Sequence, residues 1–330
     1  MTAYFCPQRK GARKPGLQRG AALLVALLIA ALVTVTVTVM LQRQSAFAGI
    51  EWQMRESAQA RRIVQGAEDW ALLILREDAR QSTIDHLGEP WAIPLQEGRL
   101  ADFLQPSVSA ANLNNSRVQD VWLSGRIVDA QARYNLMRLM VSGSALARER
   151  ALWLHVAAQA DLPIELALAV AEQFALPAAA SKRELPQPPL SLDHLLVQLP
   201  TLAPWAAALS TLVVILPEAT TINVNTASKP LLKALIPGLD ESQADRFMDL
   251  RRKAPWRDLN AINAAFTEIS LTLDQAQAGV ASRYFIINAN VRLATGPSPH
   301  TTEISMTTIV ERNAQENRTR ILRRAFGAAL

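Results

Sequence analysis

A chain of 330 residues has room for a membrane helix plus two or three domains, since domains commonly hold about 100 to 150 residues. Its formal charge of +5 points to a nucleic-acid partner only until it is located: Arg9, Lys10, Arg13, Lys14 and Arg19 account for all of it. The rest of the chain is formally neutral and lacks the only cysteine, Cys6, so the basic pI carries no partner signal and no disulfide framework is available.

Residues 1–20 form a basic leader with no acidic residue, ending at Gly20. The run AALLVALLIAALVTVTVTVM, Ala21 to Met40, is uncharged, and at about 1.5 Å per residue its 20 residues match the ~30 Å hydrocarbon core of a bilayer. Cations before the run, with only Arg43 just after it, orient the N-terminus to the cytoplasm and the bulk of the chain to the far side. A secretory signal peptide is the competing reading, because Ala46-Phe47-Ala48 resembles a small-residue cleavage site. Such peptides have apolar cores of about 7 to 15 residues, however, and Gln42-Arg43-Gln44 separate the run from that site.

Beyond the run, Phe47, Ile50, Met54, Ala58, Val64, Ala67, Ala71 and Ile74 recur mostly at helical spacing, so the helix is predicted to continue to about Ala79. Gln81 to Asp120 reads as irregular, with Gly88, Pro90, Pro94, Gly98 and Pro106 and the polar stretch SAANLNNSRVQD. Val121 to Ala130 reads as a strand. Helices follow over Ser144–Ala160 and Pro163–Ala175, then a stiff connector carrying Pro186, Pro188 and Pro189, then further helices. Ser282–Ala294, Glu303–Arg312 and Arg318–Phe326 are β-branched-rich runs separated by turn residues, the pattern of a terminal antiparallel meander. The order predicts an α+β fold interrupted by an all-α insertion, divided into 1–20 (leader), 21–41 (membrane part of the long helix), 42–135, 136–281 (inserted helical domain) and 282–330 (C-terminal strands).

The Gly20–Ala21 junction resembles the processing site of type IV pilin-like precursors, in which a dedicated peptidase cuts after the glycine and methylates the new amine. Those pilins carry glutamate at the fifth mature position, where this chain has Val25. A carboxylate inside the membrane is costly without a cation partner. A subunit lacking it suits a filament tip, where no further subunit stacks above, so Val25 marks that position. DHLGEPWAIP (Asp85–Pro94), IVDAQARYNLMRL (Ile127–Leu139) and INVNTA (Ile222–Ala227) occur in the order and spacing of the type II secretion system protein K family. The chain resembles that family over nearly its whole length.

The resemblance implies a pilin-like fold with a large helical insertion of helix-hairpin-helix or SAM-like type. It also implies a place at the tip of a periplasmic pseudopilus, in complex with minor pseudopilins I and J. The major pseudopilin, the inner-membrane secretion platform and the prepilin peptidase are the other implied partners. The chain would be single-pass in the inner membrane with its bulk in the periplasm. Calcium is the one cofactor the resemblance brings in, with no ligands assigned. Asp85, Glu89 and Asp129 read as capping or loop carboxylates.

LLKALIPGLDESQADRFMDLRR, Leu231 to Arg252, resembles a helix-hairpin-helix, which opens the alternative of a membrane-tethered DNA-binding protein of competence type. Such hairpins usually bring two glycines to phosphate, whereas this one has only Gly238 and places Asp240 and Glu241 where phosphate would sit. Packing is the preferred reading, and no nucleic acid is expected. His86, His155, His194 and His300 are scattered, Ser142-Gly143-Ser144 lacks a nucleophile-elbow pattern, and no phosphate loop is present, so no enzyme is predicted. Arg318, Arg320, Arg323 and Arg324 read as a solvated strand face.

Overall fold

The computed structural model describes residues 19–104, 121–175, 188–267, 273–293 and 301–327. The leader up to residue 18, the whole polar stretch SAANLNNSRVQD and most of the proline-rich connector lie outside them. The described elements combine a long N-terminal helix, an antiparallel sheet and a block of short helices, the α+β mixture expected from the sequence.

Helix α1 runs over Arg19–Gln81, close to the end predicted at Ala79. Contacts divide the chain into two compact units, Met1–Glu56 and Ser57–Leu330. In the first, Ala22–Gln44 is long and apolar enough to cross a membrane, and none of it is buried within the protein. The three threonines in this stretch close their hydroxyls on the carbonyl four residues back, at 2.8, 2.7 and 2.8 Å for Thr34, Thr36 and Thr38. A hydroxyl satisfied within its own helix needs no water, which makes VTVTVT compatible with lipid or with neighbouring helices.

In the second unit, the buried stripe of α1 is Ala60, Val64, Glu68, Ala71, Leu75 and Asp78. These residues recur at three- or four-residue intervals, one helical face. They meet the inner face of a five-stranded sheet of order β1-β2-β7-β8-β9, with all neighbours antiparallel. Its strands are Leu95–Arg99, Val121–Asp129, Tyr284–Leu293, Thr302–Asn313 and Arg318–Phe326. Alternation does the sorting: Val121, Leu123 and Ile127 of β2 and Phe285, Ile287, Ala289 and Val291 of β7 are buried at every second position. The β8–β9 turn closes at Asn317, whose φ of 48° is a left-handed conformation that asparagine tolerates.

Strand β1 and a short helix α2, Leu100–Leu104, fall in the stretch read as irregular. LQEGR has no apolar alternation, and its register against β2 is broken between Leu95 and Gly98, so this edge strand is defined by its partner rather than by its own pattern. Gly125 of β2 permits close approach: a Cβ there would lie 2.9 Å from the Asn288 carbonyl oxygen of the neighbouring strand.

The helical block holds α3 (Ser144–Gln159), α4 (Ile164–Gln173), α5 (Leu192–Gln198), α6 (Ala206–Leu212), α7 (Lys229–Leu235), α8 (Glu241–Lys253) and α9 (Leu259–Ala265). Two parallel strand pairs stitch it: β3 (Tyr134–Asn135) with β4 (Val213–Val214), and β5 (Ile222–Asn223) with β6 (Ala278–Gly279). One continuous core runs through the block from Tyr134 to Ala278, including Trp153, Phe174, Leu231, Phe247 and Phe266. The block packs on the outer face of the sheet through a separate cluster of Ala130, Val214, Leu216, Tyr284 and Ile309.

Candidate functional site

Segments far apart in the chain meet where the helical block joins the sheet. The first comes from the loop after α1. There Asp85 accepts from the Ser282 amide at 2.7 Å and from Arg312 Nη2 at 2.5 Å. Glu89 accepts from the His86 amide at 3.0 Å and from Trp91 Nε1 at 2.7 Å, turning the indole edge-on to Phe285 with ring centres 5.2 Å apart.

The second segment leaves the end of β2. Asp129 caps the turn Ala130–Ala132 through the Gln131 amide at 2.7 Å. Its other oxygen accepts from Asn223 Nδ2 (2.9 Å), Thr226 Oγ1 (2.6 Å) and Ser282 Oγ (2.6 Å). One buried carboxylate thereby ties the sheet, the INVNTA loop and the entry to β7. Further along, the Arg138 guanidinium grips Glu149 with two bonds of 2.7 and 2.6 Å and donates to the carbonyls of Thr220 and Ala276 at 2.6 and 2.9 Å.

The third segment, Ile222–Ala227, is held by its own amides. Asn223 Nδ2 reaches the Asp85 carbonyl at 3.1 Å, and Asn225 pairs with the Trp256 backbone in both directions at 2.8 and 2.9 Å. Arg251 completes the loop by donating to the carbonyls of Val224 and Ala227. The three motifs that carry the family resemblance therefore form one polar junction. The capping role expected for Asp129 is present, together with three side-chain donors that its sequence neighbourhood does not reveal.

The junction is short of positive charge. Arg312 bonds Asp78 at 2.6 Å as well as Asp85, and stacks over Phe285 at 4.5 Å. Burial, followed by the nearby charge of Glu89, pushes Asp78 up to about 6. Burial raises Asp85 against the pull of Arg312. Asp129 also rises to about 6, because its burial outweighs the hydrogen bonds from Ser282 and Thr226.

Among the described residues, Asp78, Asp85 and Glu89 are also the group whose oxygens lie close enough together, within 4.8 Å, to hold a metal ion. Calcium takes about six to eight oxygen ligands. Here Asp78 and Asp85 each give an oxygen to Arg312, Asp85 gives its other to an amide, and Glu89 keeps only Oε1 without a hydrogen bond, 3.7 Å from His86 Nε2. A guanidinium already stands as the cation of this cluster, and the remaining oxygens are too few. The residues do not fit calcium.

A second buried charge sits on α1. Glu68 accepts from Thr308 Oγ1 at 2.5 Å and pairs with Arg324, drawing this arginine of β9 inward onto the helix. The solvated face expected for the terminal arginines is thus divided: Arg320 pairs with Glu311 at 2.7 Å, Arg323 donates to the Leu190 carbonyl at 3.2 Å, and Arg324 serves the core. Glu68, Asp78, Ser282 and Arg312 escaped the sequence reading. The signal for the first two was present, since they fall in register with Val64, Ala71 and Leu75.

The helix hairpin uses its charges on itself. Lys229 pairs with Glu241 and Asp245, Lys233 pairs with Glu241, and Leu231, Leu232, Leu235 and Phe247 enter the core. Gly238 turns between the helices with φ 86°. Gly20 and Ala21 lie in the first turns of α1, and Val25 is 54% exposed among the apolar residues of its unit.

Residues 222–282 match the family described as type II secretion system (T2SS), protein K. Three of the donors to Asp129, namely Asn223, Thr226 and Ser282, lie in that segment. A chain in the crystal structure of the GspK–GspI–GspJ complex from the enterotoxigenic Escherichia coli type 2 secretion system is similar with a TM-score of 0.61 and 20% identity, over 84% of this chain and 99% of that one. At that identity the likeness establishes the fold. No curated protein matches the sequence. The resemblance to protein K read from the three motifs is borne out by both findings.

Proposed function

We propose that this chain is a minor pseudopilin of a type II secretion system, seated at the tip of a periplasmic pseudopilus, where it initiates or caps assembly for export across the outer membrane. The observation that carries the reading is the convergence of the three motifs on one junction, inside which the family-matched segment supplies the donors to Asp129. The chemistry is packing and recognition.

In this reading the prepilin peptidase cuts between Gly20 and Ala21 and methylates Ala21. The apolar face beginning there crosses the inner membrane with the N-terminus in the cytoplasm, then bundles with the helices of its partners. Val25, in place of an acid, leaves no carboxylate to pair with the amine of a subunit stacked above, which fits a terminal position. The helical block on the outer sheet face adds bulk that a repeating filament lattice would not accommodate. Minor pseudopilins I and J are the expected partners, in keeping with the complex in which the structural neighbour was crystallised. The major pseudopilin and the inner-membrane platform complete the assembly.

The test is the mass of the N-terminus in cells with and without the prepilin peptidase. Methylated Ala21 is expected only in the former, and an intact Met1 or a start at Gly49 in both overturns the processing claim. Co-purification with minor pseudopilins I and J at micromolar concentration is expected; the absence of any complex overturns the tip assignment.

A further inference from the structure

The outer face of the sheet and the helical block enclose a cleft of about 250 Å3 whose charge is unbalanced. One wall is a cross-strand row in register, Arg126 of β2, Asn288 of β7, Thr307 of β8 and Ala325 of β9. Arg323 stands on the next row, where it faces Ile309. Arg133, which follows the turn capped by Asp129, closes the opposite side together with Ser191 and Ser210. Among the described residues, no aspartate or glutamate lines the cleft.

Among the described residues, Arg126, Arg133 and Arg323 form no ion pair, whereas Arg292, Arg320 and Arg324 on the same sheet all do. Arg323 gives one nitrogen to the Leu190 carbonyl at 3.2 Å. The carboxylate whose field reaches Arg133 is Asp129, but its oxygens already receive four donors. Burial, followed by the like charge of Arg126, pulls Arg133 below its ordinary range against the smaller opposing pull of Asp129.

We propose that this cleft is a docking site for an acidic peptide segment of a partner protein, with a glutamate or aspartate carboxylate held between the guanidinium groups of Arg126, Arg133 and Arg323. Charge complementarity selects the occupant: a planar carboxylate matches the guanidinium fork with two parallel bonds. The aliphatic part of the lining, Leu192, Val213, Ile215 and Ile286, selects a peptide over a free oxyanion, because it offers burial to the side-chain stem and its neighbours. This site does not rest on the pseudopilin reading and stands or falls separately from the N-terminal mass.

The test uses the full chain in zwitterionic detergent and a fluorescein-labelled octapeptide carrying two glutamates around a leucine, followed by fluorescence anisotropy. The wild type is expected to bind it. The double variant Arg126→Gln/Arg323→Gln should weaken binding about tenfold or more, and a glutamine version of the peptide should bind as poorly to the wild type. Equal binding by wild type and variant, no binding up to millimolar peptide, or sulfate binding with the same affinity as the glutamate peptide overturns the proposal. Thermal melting by circular dichroism checks that the variant is folded. As a second arm that does not depend on loss, Arg126→Glu should transfer preference to a lysine version of the peptide; unchanged preference overturns the site as well.

Discussion

Two buried arginines hold the second unit together in different ways. Arg138, inside the helical block, faces one carboxylate, Glu149, in a two-bond grip and completes its donors on the carbonyls of Thr220 and Ala276. Arg312, at the junction with the sheet, answers Asp78 and Asp85 with Glu89 beside them, and its own Nε has no partner. The first centre is balanced in charge and in hydrogen bonds. The second carries more negative charge than its cation covers, and burial with that excess pushes Asp78 up to about 6. A balanced pair acts as a fixed clamp, whereas an unbalanced one makes the hold of α1 on β8 responsive to pH.

The sharpest way to break this contrast is to remove each cation. Arg138→Met leaves Glu149 buried without compensation and is expected to lower stability by about 3–5 kcal/mol, read by urea denaturation of the full chain in detergent. Arg312→Met is expected to cost less, about 2–4 kcal/mol at pH 7.5, because Asp78 can take up a proton; at pH 5 part of that loss should vanish. Equal losses at both pH values for both variants would erase the distinction.

The wild type offers a gentler test of the same idea. Burial pushes Asp78 and Asp129 up to about 6 from the ordinary 3.8, so the native state binds the extra protons between those limits. Their contribution to stability therefore rises as pH falls from 7 through 6 and levels off below about 4. Asp129→Asn should flatten this slope in melts between pH 7 and 5, and a slope identical to wild type would remove Asp129 from the account. The smallest effect is expected at the rim. Glu97→Ala cuts an exposed pair with Arg292 of 2.7 Å and should change stability by about 0.5 kcal/mol or less at 0.15 M salt.

Legibility followed locality. Strand β9, Arg318–Phe326, is legible to the residue because Thr319 and Ile321 lie within it, just after the turn at Asn317 and before Gly327. Helix α1 was readable for the same reason. Its charged positions were not: Glu68 and Asp78 share a face with Val64 and Leu75, yet a pattern scored on apolar residues passes over acids whose partners, Thr308, Arg324 and Arg312, lie more than 200 residues away. Strand β1 was missed because LQEGR is polar and becomes a strand only through its pairing with β2. The three motifs were each visible, but nothing along the chain says that Asp85, Asp129 and Asn223 touch one another's segments.

The sequence by itself determined the apolar run with its basic leader, the order of helical and strand segments, and the α+β class, since each depends on periodicity or composition within a short window. Tertiary structure alone decided which charges were buried together, that Arg312 occupies the place of a cation among three acids, and that Arg126, Arg133 and Arg323 face one cleft without a counter-ion. The physical reason is range: hydrophobic periodicity is set by neighbours one turn or one pleat away, whereas the energy of a buried charge depends on whatever the fold brings within a few ångströms of it.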